Sequence, residues 1–135
     1  MSENPGTKGK IVIIDDDRFL ADMYSTKFIQ KGYAVEAFES VRAALDALRR
    51  GLAPSAILFD VVMPDQDGFD FLSTAKAEKL GGNATYIALT NQSNDGDRAR
   101  AESLGVDAYI IKASLIPSEV VAAVAEAIEK HEGKK

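Results

Sequence analysis

Four times along this chain a run of four apolar residues, rich in β-branched or aromatic types, is followed directly by a polar side chain capable of chemistry. The runs are Ile11 to Ile14, Ala56 to Phe59, Tyr86 to Leu89 and Ala108 to Ile111, and the residues after them are Asp15, Asp60, Thr90 and Lys112. Short continuous apolar runs of this kind read as strands buried within a sheet. A fifth stretch, Tyr33 to Phe38, is broken by Glu36 and reads as a more exposed strand near a sheet edge.

The segments between the runs carry helical spacing. Leu20, Met23, Tyr24 and Phe28 share one face in the first, Val41, Leu45 and Leu48 in the second, and Val120, Val121, Val124 and Ile128 in the last. Gly32, Gly51 and Gly105 stand just past expected helix ends, where a left-handed residue is wanted, and Pro117 suits the first turn of the final helix. Strict alternation of strand and helix predicts a parallel sheet covered on both faces, with right-handed crossovers. The expected fold is an open α/β sandwich of five strands, whose functional crevice lies outside the carboxyl ends of the strands.

That edge is where the chemistry gathers. The residues leading into the runs, Lys10, Ser55, Thr85 and Asp107, are a mixed set, whereas Asp15, Asp16, Asp17 and Asp60 all follow them. Asp17 reads as the N-cap of the first helix. Carboxylates brought together repel by about 4 kcal/mol for a pair about 4 Å apart at an effective dielectric of about 20, so a cation belongs among them. Oxygen ligands with room for water, and no Cys or His nearby, favour Mg2+ over zinc or copper. Lys112 supplies a second positive charge and Thr90 a hydroxyl. Such a set suits phosphoryl transfer to a carboxylate better than acid/base hydrolysis. Asp60, alone at the end of its strand, is the candidate nucleophile; the paired Asp15 and Asp16 are better placed to hold metal.

Composition narrows the function further. The 135 residues are 46% hydrophobic, enough for one domain with its own core. The absence of cysteine excludes disulfides, thiol catalysis and Cys-based zinc sites. A net charge of −5 opposes direct nucleic-acid binding, and no apolar run approaches the roughly 18 residues of a membrane span. The expected organisation is a disordered lead-in over residues 1–9, a folded domain over 10–131 and a flexible tail over 132–135, in a cytoplasmic protein. His131, near the end of the last helix, is read as a cation suited to the helix dipole and not as a catalytic group.

Taken in order, Ile11 to Ile14 with Asp15-Asp16-Asp17, then Phe59-Asp60-Val61-Val62-Met63-Pro64 with Asp67-Gly68, then Ala88-Leu89-Thr90, then Tyr109 with Lys112, the residues are similar to those of the receiver domain of two-component response regulators. The likeness is greatest to a stand-alone receiver of the chemotaxis type and spans roughly Lys10 to Lys130. It implies a flavodoxin-like, doubly wound fold with strand order 2-1-3-4-5. It also implies that Asp60 is phosphorylated by a sensor histidine kinase or a histidine phosphotransfer protein. In that family Asp16 binds Mg2+ directly, Asp15 helps through water, and the backbone carbonyl of Val62 completes the metal site. Thr90 is the switch hydroxyl, Lys112 contacts the phosphoryl group, and Tyr109 turns inward in response. Such a domain catalyses only its own phosphorylation and dephosphorylation. Its output to a downstream protein is expected on the fourth helix, fifth strand and fifth helix, from a monomer or weak dimer.

Two departures stand out. Proline commonly follows the lysine in this family, but Ala113 and Ser114 stand here; a cis bond away from proline costs about 2.5 to 4 kcal/mol, so a trans peptide is expected. Val62 and Gln92 flank the phosphoryl position in the family, and an apolar Val62 cannot orient an attacking water, which implies a long-lived phosphoform. Met63, Pro64 and Gly68 are read as shaping the loop after Asp60. Three other readings fit less well. An FMN or nucleotide binder needs a Ser/Thr/Gly cradle where Asp15-Asp16-Asp17 stands, a phosphatase resembling the haloacid dehalogenases needs an acid at Val62, and a degenerate scaffold would have lost an acid.

Overall fold

The computed structural model describes residues 8–61, 68–90, 95–112 and 115–133. The elements alternate without exception: β1 Lys10–Ile14, α1 Arg18–Gln30, β2 Ala34–Phe38, α2 Val41–Arg49, β3 Ala56–Asp60, α3 Gly68–Glu78, β4 Thr85–Thr90, α4 Asp95–Ser103, β5 Ala108–Ile111 and α5 Pro117–Gly133. The strands pair in parallel throughout, in the order β2-β1-β3-β4-β5. Each expected strand forms within about a residue of its apolar run.

Alternation along the central strands divides the core in two. Val12, Ile14, Ile57, Phe59, Tyr86 and Ala88 pack toward α2 and α3, whereas Ile11, Ile13, Leu58, Ile87 and Leu89 pack toward α1 and α5. With helices on both faces, β1, β3 and β4 have no solvent side, which is why their sequences are continuously apolar. β2 is a half-buried edge strand, as Glu36 leads one to expect. β5 differs from expectation: its run is as apolar as the others, yet Ile110 alone in it is buried. It forms the other edge of the sheet, and α4 beside it buries only Ala101.

Helix boundaries follow local chemistry. An Asp17 carboxylate oxygen accepts the Leu20 N–H at 3.1 Å, Ser40 Oγ accepts the Ala43 N–H at 3.1 Å, and the Ile116 N–H donates to Glu119 Oε1 at 3.0 Å just before Pro117 opens α5. Gly32 and Gly105 take φ of +99° and +96° after α1 and α4, as expected of glycine there. At the amino edge of the sheet, His131 Nε2 lies 2.9 Å from the Asn83 carbonyl oxygen and Nδ1 3.3 Å from Asp107 Oδ1. The other Asp107 oxygen accepts the Tyr86 N–H at 2.8 Å, so His131 ties the end of α5 to the start of the sheet, far from the acids.

Gly68 fixes where α3 begins. Its N–H donates to the Val61 carbonyl at 3.1 Å, and a Cβ there would stand 2.5 Å from the Asp60 carbonyl oxygen and 2.8 Å from Val61 Cα. Neither backbone atom can move aside cheaply. Gly68→Ala is therefore expected to force α3 off the end of β3 and to cost about 1–3 kcal/mol in urea unfolding, as overpacking does. A loss below about 0.5 kcal/mol, the range of an ordinary surface change, would contradict this close fit.

Candidate functional site

Parallel strands in register deliver their last residues to one edge. Ile14 is level with Phe59, Asp60 with Leu89 and Thr90 with Ile111, so Asp15, Asp60, Thr90 and Lys112 arrive within one or two residues of a common level. All four are buried there, at 1%, 7%, 5% and 6% exposure. Asp16 remains exposed.

The Lys112 side chain crosses this edge and lies between two acids. Its Nζ donates to Asp15 Oδ2 at 3.3 Å and to Asp60 Oδ2 at 3.2 Å. Burial works against the lysine charge, but Asp60 and then Asp15 outweigh it and hold its pKa above the ordinary 10.5. Its pairing therefore contributes stability in full at neutral pH, and that contribution is lost only as pH rises past the lysine range. Burial pushes the Asp15 carboxyl upward; the Asp17 N–H, which donates to Asp15 Oδ1 at 2.8 Å, and Lys112 act against this, while Asp60 adds to it. Burial thus opposes ionisation of Asp15.

Asp15, Asp16 and Asp60 each present a carboxylate oxygen, all within 4.8 Å of one another. This is an oxygen-only donor set with one exposed member open to water, which fits a hard divalent cation and offers nothing to a soft one. Val62 and Gln92, singled out from the sequence, lie outside the described residues, as does the peptide that follows Lys112.

Tyr109 stands on β5 with its hydroxyl buried beside Thr90, near enough to feel that side chain although without the geometry of a full hydrogen bond. Burial first, then the Asp97 charge, raises its phenol pKa, and Thr90 and Arg98 oppose the shift. The Arg98 guanidinium lies over the Tyr109 ring at 4.8 Å from its centroid.

Two neighbours of the site are absent from the sequence reading. Tyr24, read as a core position of the first helix, is buried on α1 close enough to the acids that Lys112 lowers its pKa while Asp15 and Asp60 add to the rise that burial causes. Arg98 is not singled out by the sequence. Nothing in its spacing marks the ring beneath it.

Fold and edge together define a doubly wound α/β domain with an acidic, lysine-bridged crevice. Residues 11–125 match the family described as response regulator receiver domain. The chain is 31% identical over 123 residues to the regulatory protein VanRc of Enterococcus gallinarum, covering 91% of this chain and 51% of that protein. It is 30% identical over 111 residues to the response regulator SaeR of Staphylococcus aureus, covering 82% and 46%. It therefore spans about half the length of these curated relatives. Among solved structures it resembles a CheY-like response regulator receiver domain protein of Methanospirillum hungatei, with TM-score 0.83, 24% identity and coverage of 93% and 98% of the two chains. It also resembles the chemotaxis protein CheY4 of Vibrio cholerae, with TM-score 0.80, 21% identity and coverage of 87% and 97%. The chain belongs to the response regulator receiver domain family of two-component signalling.

The bridging lysine sets up opposite outcomes for two substitutions. In metal-free buffer at neutral pH, Lys112→Ala leaves two buried carboxylates uncompensated and is expected to cost about 3 kcal/mol in urea unfolding. Asp15→Asn in the same buffer removes one buried charge, leaves Lys112 paired with Asp60, and is expected to raise the melting temperature. Equal destabilisation by both would contradict this balance of charges.

Proposed function

We propose that Asp60 is the residue that accepts a phosphoryl group, and that this chain is a phosphorylation-controlled switch. The observation that carries the reading is the buried Asp60 carboxylate at the end of β3, held 3.2 Å from Lys112 inside a cluster of three acids. The donor is the phosphohistidine of a sensor histidine kinase or of a histidine phosphotransfer protein. An Asp60 oxygen attacks phosphorus as the phosphorus–nitrogen bond breaks, and the imidazole leaves with that electron pair and takes up a proton.

Asp15, Asp16 and Asp60, with the backbone carbonyl of Val62, would hold Mg2+. When bound, the ion supplies positive charge that offsets the phosphoryl oxygens. Lys112 already lies against the acceptor and is free to follow the new charge, since its ammonium is compact and its stem flexible. Thr90, one residue past the level of Asp60, offers its hydroxyl to the same group. Phosphorylation adds about −1.5 to −2 charges and three acceptor oxygens, so pairing shifts from carboxylate to phosphate. Tyr109, beside Thr90, reports that change toward α4, β5 and α5, the face proposed for a downstream protein. An apolar Val62, with Gln92, favours a slowly hydrolysed phosphoform. The role is that of a cytoplasmic switch, a monomer or weak dimer that acts on no substrate but its own phosphoryl group and contacts neither nucleic acid nor membrane directly. Among the described residues no helix is long and apolar enough to cross a membrane.

Incubation with acetyl phosphate and Mg2+ tests this reading by intact mass. The wild type is expected to gain one phosphoryl group, Asp60→Asn none, and the wild type none when a chelator replaces the metal. An equal gain on Asp60→Asn would overturn the assignment.

A further inference from the structure

α4 is attached to the rest of the protein in an unusual way. Its nine residues, Asp95–Ser103, include five charged side chains, and Ala101 alone among them is buried. A short helix is ordinarily held by packing an apolar face, and that of α4 is confined to its C-terminal end, Ala101 with Leu104 and Val106 just beyond. Two guanidinium groups add contacts of another kind. Arg98 lies 4.8 Å from the ring centroid of Tyr109 on β5, and Arg100 lies 4.4 Å from that of Phe69 on α3, both within the range of cation–π attraction.

Both rings lead back to the acid cluster. Phe69 follows Gly68, whose backbone is pressed against the Asp60 carbonyl, while the Tyr109 hydroxyl is buried beside Thr90. The two attachments differ in what they hold. Phe69 is a core residue, only 5% exposed. Tyr109 sits on an edge strand, half-buried, packed against the core and covered by the Arg98 guanidinium. The Arg98 side chain is 46% exposed, and its ion pair with Glu102 is long at 4.0 Å, so the ring at 4.8 Å is a second constraint on where its charge settles.

We infer that Arg98 is the positioning residue for Tyr109: its guanidinium holds the ring inward against Thr90 and, through the same contact, holds α4 against β5. The consequence for signalling rests on the phosphoacceptor reading of Asp60, but the placement of the ring does not. Arg100 anchors the same helix through another ring and serves as the internal comparison.

The test observes the Tyr109 ring by aromatic carbon NMR, assigned with Tyr109→Phe, and α4 by hydrogen exchange over residues 95–103, in unphosphorylated protein. Arg98→Ala is expected to move the Tyr109 resonances toward free-tyrosine values and to speed exchange in α4 by about tenfold. Arg98→Lys, which keeps a cation over the ring, is expected to restore most of both. Arg100→Ala is expected to speed exchange in α4 while leaving the Tyr109 ring in place. An unmoved ring in Arg98→Ala, or an equal shift in Arg100→Ala, would overturn the inference. With acetyl phosphate and Mg2+, Arg98→Ala is expected to gain its phosphoryl group at the wild-type rate. Failure of the wild type itself to gain a phosphoryl group would count against Asp60 alone, because the ring measurement decides the role of Arg98 without phosphate.

Discussion

One ammonium group sits where the carboxyl ends of two neighbouring strands would otherwise present buried acids alone. Lys112 Nζ is within 3.3 Å of Asp15 and 3.2 Å of Asp60, and all three residues are more than nine-tenths buried. Parallel pairing makes the arrangement unavoidable once the sequence ends its strands with these residues, because every strand points the same way. An antiparallel sheet would scatter them to both edges. The apolar core in turn depends on the ammonium: Ile14 and Phe59 can be fully buried beside ionised carboxylates only if those charges have partners. The cluster is net negative even so, with three acids against one lysine, and it is this remaining deficit that makes a divalent cation and a further anion bound through it reasonable occupants.

A site of this kind is held ready at some expense. Burial pushes the Asp15 carboxyl upward, Gly68 is packed so tightly that no side chain fits, and α4 beside the crevice has little core of its own. These are the places where the chain departs from what stability alone would favour, and they adjoin one another. Elements with few buried contacts open and shift most readily. A charge added at this edge would therefore have a helix with few buried contacts within reach.

The strands and the acid edge are legible in the sequence because their signals are local. Four β-branched or aromatic runs, each ending in a chemically capable residue, specify both the sheet and what its edge carries. Asp17 as a cap and Pro117 as a helix start are legible for the same reason. The burial of β5 is not: Ala108–Ile111 looks like a central strand, and only its place at the edge, decided by strand order, leaves it half-covered. Tyr24 and Arg98 escape notice because what matters about them is a contact across the fold. The lack of room at Gly68 depends on how closely α3 approaches β3, which no local pattern encodes. Val62 and Gln92 carry expectations from sequence alone.

The central claim concerns one atom's partner, and reductive trapping addresses it most directly. Borohydride converts an acyl phosphate to the corresponding alcohol, so a phosphorylated aspartate becomes homoserine and can be located by peptide mass mapping. After treatment with a phosphodonor and Mg2+, the account predicts homoserine at position 60 and at no other aspartate. Homoserine at Asp15 or Asp16, or none anywhere in protein that carries the phosphoryl mass, would contradict it.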